Sequence, residues 1–151
     1  MKRSLLIASL LLAWPVMAAD APPLTAHIAT RASTLDLSLE LAATSAEREM
    51  GLMHRTKLTP YDGMAFFFPE TRPEKFWMKD TLIPLDILFV DEAGSIVYIV
   101  TGKPLSEEPV GPTGPVATVI ELAGGRAARN GIAVGDKVTY DIDSRPSAMA
   151  H

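Results

Sequence analysis

The sequence predicts a mainly β fold, a compact single-domain β-barrel or sandwich of about seven or eight short strands with two short helices. Three observations carry this. Thr34-Leu35-Asp36-Leu37-Ser38-Leu39-Glu40-Leu41 alternates strictly between polar residues and Leu, the period of a half-buried strand. Short apolar runs recur downstream, at 64–68, 87–90 and 116–122, punctuated by Gly, Pro or Asp. Only one strong helix start is present, the capping box Thr44-Ser45-Ala46-Glu47, in which the Thr hydroxyl and the Glu carboxylate satisfy each other's free amides.

A chain of 151 residues is the size of one domain. With 48% hydrophobic and 21% charged residues it has the balance of a folded protein. The net charge of −4, with Lys and Arg scattered, argues against nucleic-acid binding, which normally needs a basic face. The absence of Cys removes disulfides, thiol catalysis and zinc-thiolate or iron–sulfur sites together.

Residues 1–18 read as a secretory signal peptide. Lys2 and Arg3 precede an apolar run from Leu5 to Val16, and Val16-Met17-Ala18 supplies the small or β-branched residues that a signal peptidase reads, with cleavage expected after Ala18 or Ala19. The run is too short for a membrane span of about 20 residues. Cleavage leaves the chain two charges more negative, with no further stretch apolar enough to span a bilayer. The expectation is a protein exported to a periplasm or secreted, comprising a β-rich domain at 26–142 and a disordered tail at 143–151.

Each element has its own signal. A weak strand is expected at 27–31, then a turn at Ala32-Ser33 and the alternating strand at 34–41. The capping box starts a helix expected over 45–54, with Gly51 costing about 1 kcal/mol or ending it early. Asp62-Gly63 turns into a strand at 64–68 that Pro69 should end. Lys75-Phe76-Trp77-Met78-Lys79 reads as the next strand, and Pro84 as a bend before the strand at 87–90. Asp91-Glu92-Ala93-Gly94 is a hairpin turn leading into 95–100. The Pro- and Gly-rich stretch 101–115 is the one long loop, of a kind usually functional or mobile. A strand at 116–122, a helical turn ending at Asn130-Gly131 and a strand at 137–142 complete the domain.

Five blocks in order, EREMGLMHR (47–55), DGMAFFF (62–68), FWMKDTLIPLDILFV (76–90), GSIVYI (94–99) and VIELAGGRAARNGIAVGDKV (119–138), resemble the domain of unknown function 192 family across about residues 33–142. The resemblance implies a small, mostly β protein, often carrying a signal peptide, with no activity established for the family. Asp80 stands where the family more typically has Asn; if an amide there serves a ligand, this site carries one more negative charge. Residues 126–138 also faintly resemble the end of a PDZ domain, which reduces to a local helix-stop and Gly-Asp turn.

Several side chains bear candidate chemistry. Trp is usually largely buried, so an inward Trp77 is the first expectation. If Phe76 and Met78 face the core instead, Trp77 is flanked by Lys75 and Lys79 on the outer face and can stack a sugar ring or meet an anion. Asp86, beside Pro84-Leu85 and an apolar run, is either a structural partner (of Arg48, Arg55 or Lys79, or of a turn) or functional, because an unpaired buried charge is costly. Glu121, within Val119-Ile120-Glu121-Leu122, poses the same question. With Asp80 these make three carboxylates that could converge as acid and base on a glycan. Arg48 and Arg55, seven apart, can share a helix face that binds an anion or is simply solvated. Met50, Met53, Met64 and Met78 read as core filling rather than a copper(I) site. His27, His54 and His151 are isolated, and no Gly-x-Ser-x-Gly elbow or phosphate loop is present.

The residues therefore point first to a non-enzymatic, exported binding or accessory module of the cell envelope. Its polar cleft is expected near Arg55, Trp77, Lys79, Asp80, Thr81, Asp86 and Glu121. No metal and no cofactor is expected; the partner is a small molecule, a glycan or an envelope protein, not a nucleic acid. The alternative is a glycan-acting hydrolase or lyase using two of Asp80, Asp86 and Glu121. A third reading is a structural protein docking through the 101–115 loop.

Overall fold

Period-two patterning builds the first hairpin. In the computed structural model, which describes residues 23–141, β1 (Leu24–Ala29) pairs antiparallel with β2 (Thr34–Ala42), placing Leu24 opposite Leu39 and Ile28 opposite Leu35. The first strand lies earlier than the expected 27–31 because Thr30 makes the turn. Its hydroxyl donates to the Ser33 carbonyl at 2.7 Å and accepts from the Ser33 amide at 3.1 Å. The leader expected at 1–18 and the tail at 143–151, with His151, lie outside the described residues.

Helix α1 (Ser45–Met50) starts on the capping box, with the Glu47 amide donating to the Thr44 hydroxyl at 3.2 Å and the Thr44 amide donating to the Glu47 carboxylate at 2.8 Å. It stops well short of residue 54. Gly51 turns the chain with φ 48°, a positive-φ backbone that glycine adopts without a side-chain clash. The helix lies on the crossover from β2 to β3 (Gly63–Arg72), and these two strands pair parallel, a connection no tight hairpin can make. Strand β3 runs past Pro69, contrary to expectation. Its register against β6 (Val116–Ala123) breaks between Phe67 and Arg72, so the missing proline amide falls where the ladder is already interrupted.

Strands β4 (Leu85–Val90) and β5 (Ile96–Gly102) form the predicted hairpin, and β6 inserts between β4 and β3. Helix α2 (Arg126–Arg129) then leads to β7 (Lys137–Tyr140), which joins the outer side of β1. The result is one seven-stranded sheet in the order β5-β4-β6-β3-β2-β1-β7. Its two edge strands meet at one corner, where Ser95 bridges Lys137, the Ile96 amide donates to the Asp136 carbonyl at 2.9 Å and the Val138 amide to the Gly94 carbonyl at 2.8 Å. The sheet is thus curled into a half-barrel, and the mainly β single-domain expectation holds. Among the described residues no helix is long and apolar enough to cross a membrane.

Alternation along the strands divides the apolar residues between two layers. The inner one holds Leu37, Leu39, Ala65, Leu88 and Ile120, closed off by Ala127 and Ile132 after β6. The outer one lies on the convex face of β3, β6 and β4, where Met64, Phe66, Ile87, Phe89 and Val119 are covered by Leu52, Met78 and partly buried Phe76. That cover positions the site. Residues 75–79 do not form the expected strand; Phe76 makes a single bridge with Val110, at 2.9 and 2.8 Å. The expected free loop 101–115 is stitched to the same segment, with Met78 donating to the Ser106 carbonyl at 2.8 Å and Leu105 to the Thr81 carbonyl at 3.1 Å.

Candidate functional site

The cover segment turns Trp77 outward. Phe76 sits edge-on to Phe66 at 5.1 Å and to Phe89 at 5.8 Å, and Met78 is buried, so the residue between them faces solvent. Trp77 is 48% exposed, which overturns the inward expectation. Lys79 lies over its ring, Nζ 5.3 Å from the centroid, a cation–π contact. Lys75 does not flank the indole as a free cation; it donates to the Gly111 carbonyl at 2.5 Å. Trp77 forms one wall of a cleft of about 520 Å3, with Arg48 and Glu49 of α1 and the Phe68 to Arg72 end of β3 on its other sides.

Asp80 takes φ 53°, the left-handed region that only Gly, Asn and Asp visit readily. Its carbonyl accepts the His54 amide at 2.8 Å, tying the chain after α1 to the cover segment. The backbone thus accounts for Asp or Asn at this position, whatever the side chain contacts. Thr81, next along, is buried beneath Trp77, its hydroxyl donating to the Lys79 carbonyl at 3.2 Å.

Glu121 of β6 comes up from below. Its register partners are Met64 on β3 and Ile87 on β4, both in the outer layer. It is 5% exposed and has no hydrogen bond or ion pair to any described residue. Burial alone pushes its carboxyl up to about 8, so at neutral pH it is mostly the neutral acid. Its side chain lines a narrow recess with Arg48, Glu49, Trp77 and Thr81. The backbone at this point is equally tight: a Cβ on Gly63 would fall 2.0 Å from the Glu121 carbonyl oxygen. Gly63 is therefore required by the packing of β3 on β6, not only by the turn that the sequence pattern indicated.

Two of the seven expected site residues belong elsewhere. Asp86 pairs in register with Leu122, whereas Glu121 pairs with Ile87, and directly opposed residues share a face. Asp86 and Glu121 therefore point to opposite sides of the sheet and cannot act together. The Asp86 carboxylate accepts from Thr101 Oγ1 at 2.7 Å and from the amides of Gly125 at 3.0 Å and Ala127 at 2.8 Å. Gly125, the cap of α2, has no side chain to offer, so Asp86 satisfies that helix start from β4. Arg55 is fixed on the crossover by a two-pronged pair with Glu40, at 2.6 and 2.8 Å. The structure thus brings Trp77, Thr81 and Glu121 to one recess and lays Lys79 on the indole, with Asp80 beside them only along the chain. It adds Glu49, which carried no separate signal in the sequence, and Arg48, expected only as an Asp86 partner or as part of a face shared with Arg55. Among the methionines, Met64 and Met78 are core, while Met50 is 55% exposed.

A β-rich half-barrel with a polar cleft on its convex face is the class of protein these features define. The chain belongs to the domain of unknown function 192 family, described as "Uncharacterized ACR", whose model matches residues 26–140. A crystal structure of a protein from Sinorhizobium meliloti 1021, described as a suggested transcription regulator, is 39% identical and superposes with a TM-score of 0.76, covering 81% of this chain and 96% of that one. A protein of unknown function from Novosphingobium aromaticivorans DSM 12444 is 40% identical with a TM-score of 0.73, covering 76% of this chain and 83% of that one. No curated protein matches the chain.

Proposed function

We propose that the protein is an exported binding module of the cell envelope that holds a small polar ligand in the cleft walled by Trp77. The half-exposed indole carries this reading: a large aromatic ring stands in solvent at the edge of a cleft of about 520 Å3, on a segment that backbone hydrogen bonds fix on both sides. Exposed aromatics on a rigid base are what binding sites use, because they offer contact area at little cost in side-chain entropy. Export rests on the reading of residues 1–18 as a signal peptide. The paired-carboxylate hydrolase or lyase is less well supported, since Asp86 is engaged in holding α2 and faces away from Glu121. The regulatory role suggested for the Sinorhizobium meliloti protein is not extended to this chain, whose net charge of −4 argues against nucleic-acid binding.

Two measurements test the proposal. In a Trp14→Phe chain, Trp77 is the sole Trp. Its emission should be quenched by iodide and shifted by one ligand class among envelope glycans, acidic sugars, nucleotides and metal ions. Emission that no ligand moves would overturn the cleft. Fractionation should find the protein outside the cytoplasm, and a variant lacking residues 1–18 inside it; the reverse sinks the envelope assignment.

A further inference from the structure

Beside the cleft, and sharing Arg48, Glu49, Phe76 and Trp77 with it, is a recess of about 40 Å3. A space of that size takes one or two waters or a hydroxymethyl-sized group, not a ring. Glu121 forms part of its lining, and its carboxyl has no partner among the described residues. Its oxygens are not sealed in the core but open on the recess, so a water or a ligand group there can hydrogen-bond them.

The surroundings limit what that counterpart is. Of the elements packed around Glu121, β3 and β4 contribute Met64 and Ile87, and the cover segment contributes Phe76, Trp77 and Thr81. Among the described residues, the only charged groups lining the recess besides Glu121 are Arg48 and Glu49 of α1, with Lys79 above on the indole. Arg48 is directed to its own helix start, donating to the Ala43 carbonyl at 2.6 Å and to Ser45 Oγ at 3.2 Å. A cation entering here meets Arg48 and Lys79. An anion meets Glu49 and finds no free cation among the described residues lining the recess, because Arg48 is bonded to its own helix start and Glu121 is the neutral acid.

Resting on the cleft reading above, we propose that the ligand is an uncharged, hydroxyl-rich ring of the sugar type, which lies against Trp77 and inserts one exocyclic hydroxyl into the recess to hydrogen-bond Glu121. The C–H face of such a ring suits the apolar indole surface. A protonated carboxyl offers one donor and one acceptor, matching the donor and acceptor of a hydroxyl. Burial holds Glu121 in that form at neutral pH.

The test uses three probes on the Trp14→Phe chain at pH 7: chitotriose, which is neutral, the fully deacetylated trimer, which is cationic, and trigalacturonate, which is anionic. Trp77 emission and calorimetry report binding. Chitotriose should bind at least about tenfold more tightly than either charged trimer. Glu121→Gln, which keeps a donor and an acceptor, should stay within a few-fold of the parent, while Glu121→Leu should lose about tenfold or more with an unchanged circular dichroism spectrum. Preference for a charged trimer, or unimpaired binding by Glu121→Leu, overturns the inference. If that charged trimer still requires Trp77, the cleft stands and only the ligand class falls. Silence from all three probes also overturns the inference, and the wider ligand set above then decides the cleft separately.

Discussion

Glu121 and Asp86 are carboxylates one strand apart with opposite roles, and the difference lies in what each can reach. Asp86 accepts three hydrogen bonds. Asp86→Ala should strand the Gly125 and Ala127 amides and cost about 2–4 kcal/mol, read as a lowered urea midpoint. Glu121 should behave inversely. Folded, it holds its proton to about 8, whereas unfolded it loses it near 4.5. The folded state binds more protons between those values, so stability should fall as pH rises from about 4.5 to about 8 and level off above. Glu121→Gln should remove that slope and leave the protein more stable than the parent at pH 8.5 by a few kcal/mol. An unchanged slope in the Gln variant would show that the carboxyl reaches solvent.

At the scale of elements, the site depends on how closely β3 lies on β6 and how firmly the cover segment is clamped to both. Gly63→Ala should push β3 off the Glu121 carbonyl, destabilising by about 2 kcal/mol or more and shifting the Trp77 emission although Trp77 is untouched. Phe66, 1% exposed and edge-on to Phe76, anchors the cover from below; Phe66→Ala should cost about 3–5 kcal/mol and loosen the same indole, read as increased iodide quenching. Much of this was legible locally. Leu alternation located β2, the capping box located the start of α1, and the Asp91 to Gly94 turn located the β4–β5 hairpin. The misplaced elements failed for local reasons too. Alternation in Lys75-Phe76-Trp77-Met78-Lys79 matches a strand, yet among the described residues the segment makes a single bridge, Phe76 with Val110, and lies across the sheet as a cover.

At the scale of the whole molecule, the sheet closes through its edges. His27 of β1 joins Asp36 of β2 and Asp141, just beyond β7, at 2.7 and 3.1 Å. The Asp36 hydrogen bond, followed by that to Asp141, raises the His27 pKa above 6.5. A raised value means that the stabilisation is complete below pH 6.5 and lost as pH climbs through the folded value. His27→Asn should therefore lower stability at pH 5.5 and make little difference at pH 8.5, checked by thermal melts at both. The convex face carries the second consequence of the curl. The concave side is filled by its own apolar layer, and the Trp77 cleft forms where segments lie over the outer surface.

The sequence by itself determined the mainly β class, the family and most strand positions, because these follow from side-chain period, turn chemistry and block order, all local along the chain. It also selected the segment 77–81 and Glu121. What only the tertiary structure decided was the company each residue keeps. Whether Asp86 and Glu121 converge depends on strand register, since one residue of offset places a side chain on the opposite face. Whether Trp77 is core or surface depends on Phe76 and Met78 finding the outer apolar layer. Arg48 and Glu49 join the site because the parallel crossover lays α1 beside the cover segment, a pairing between residues far apart in sequence.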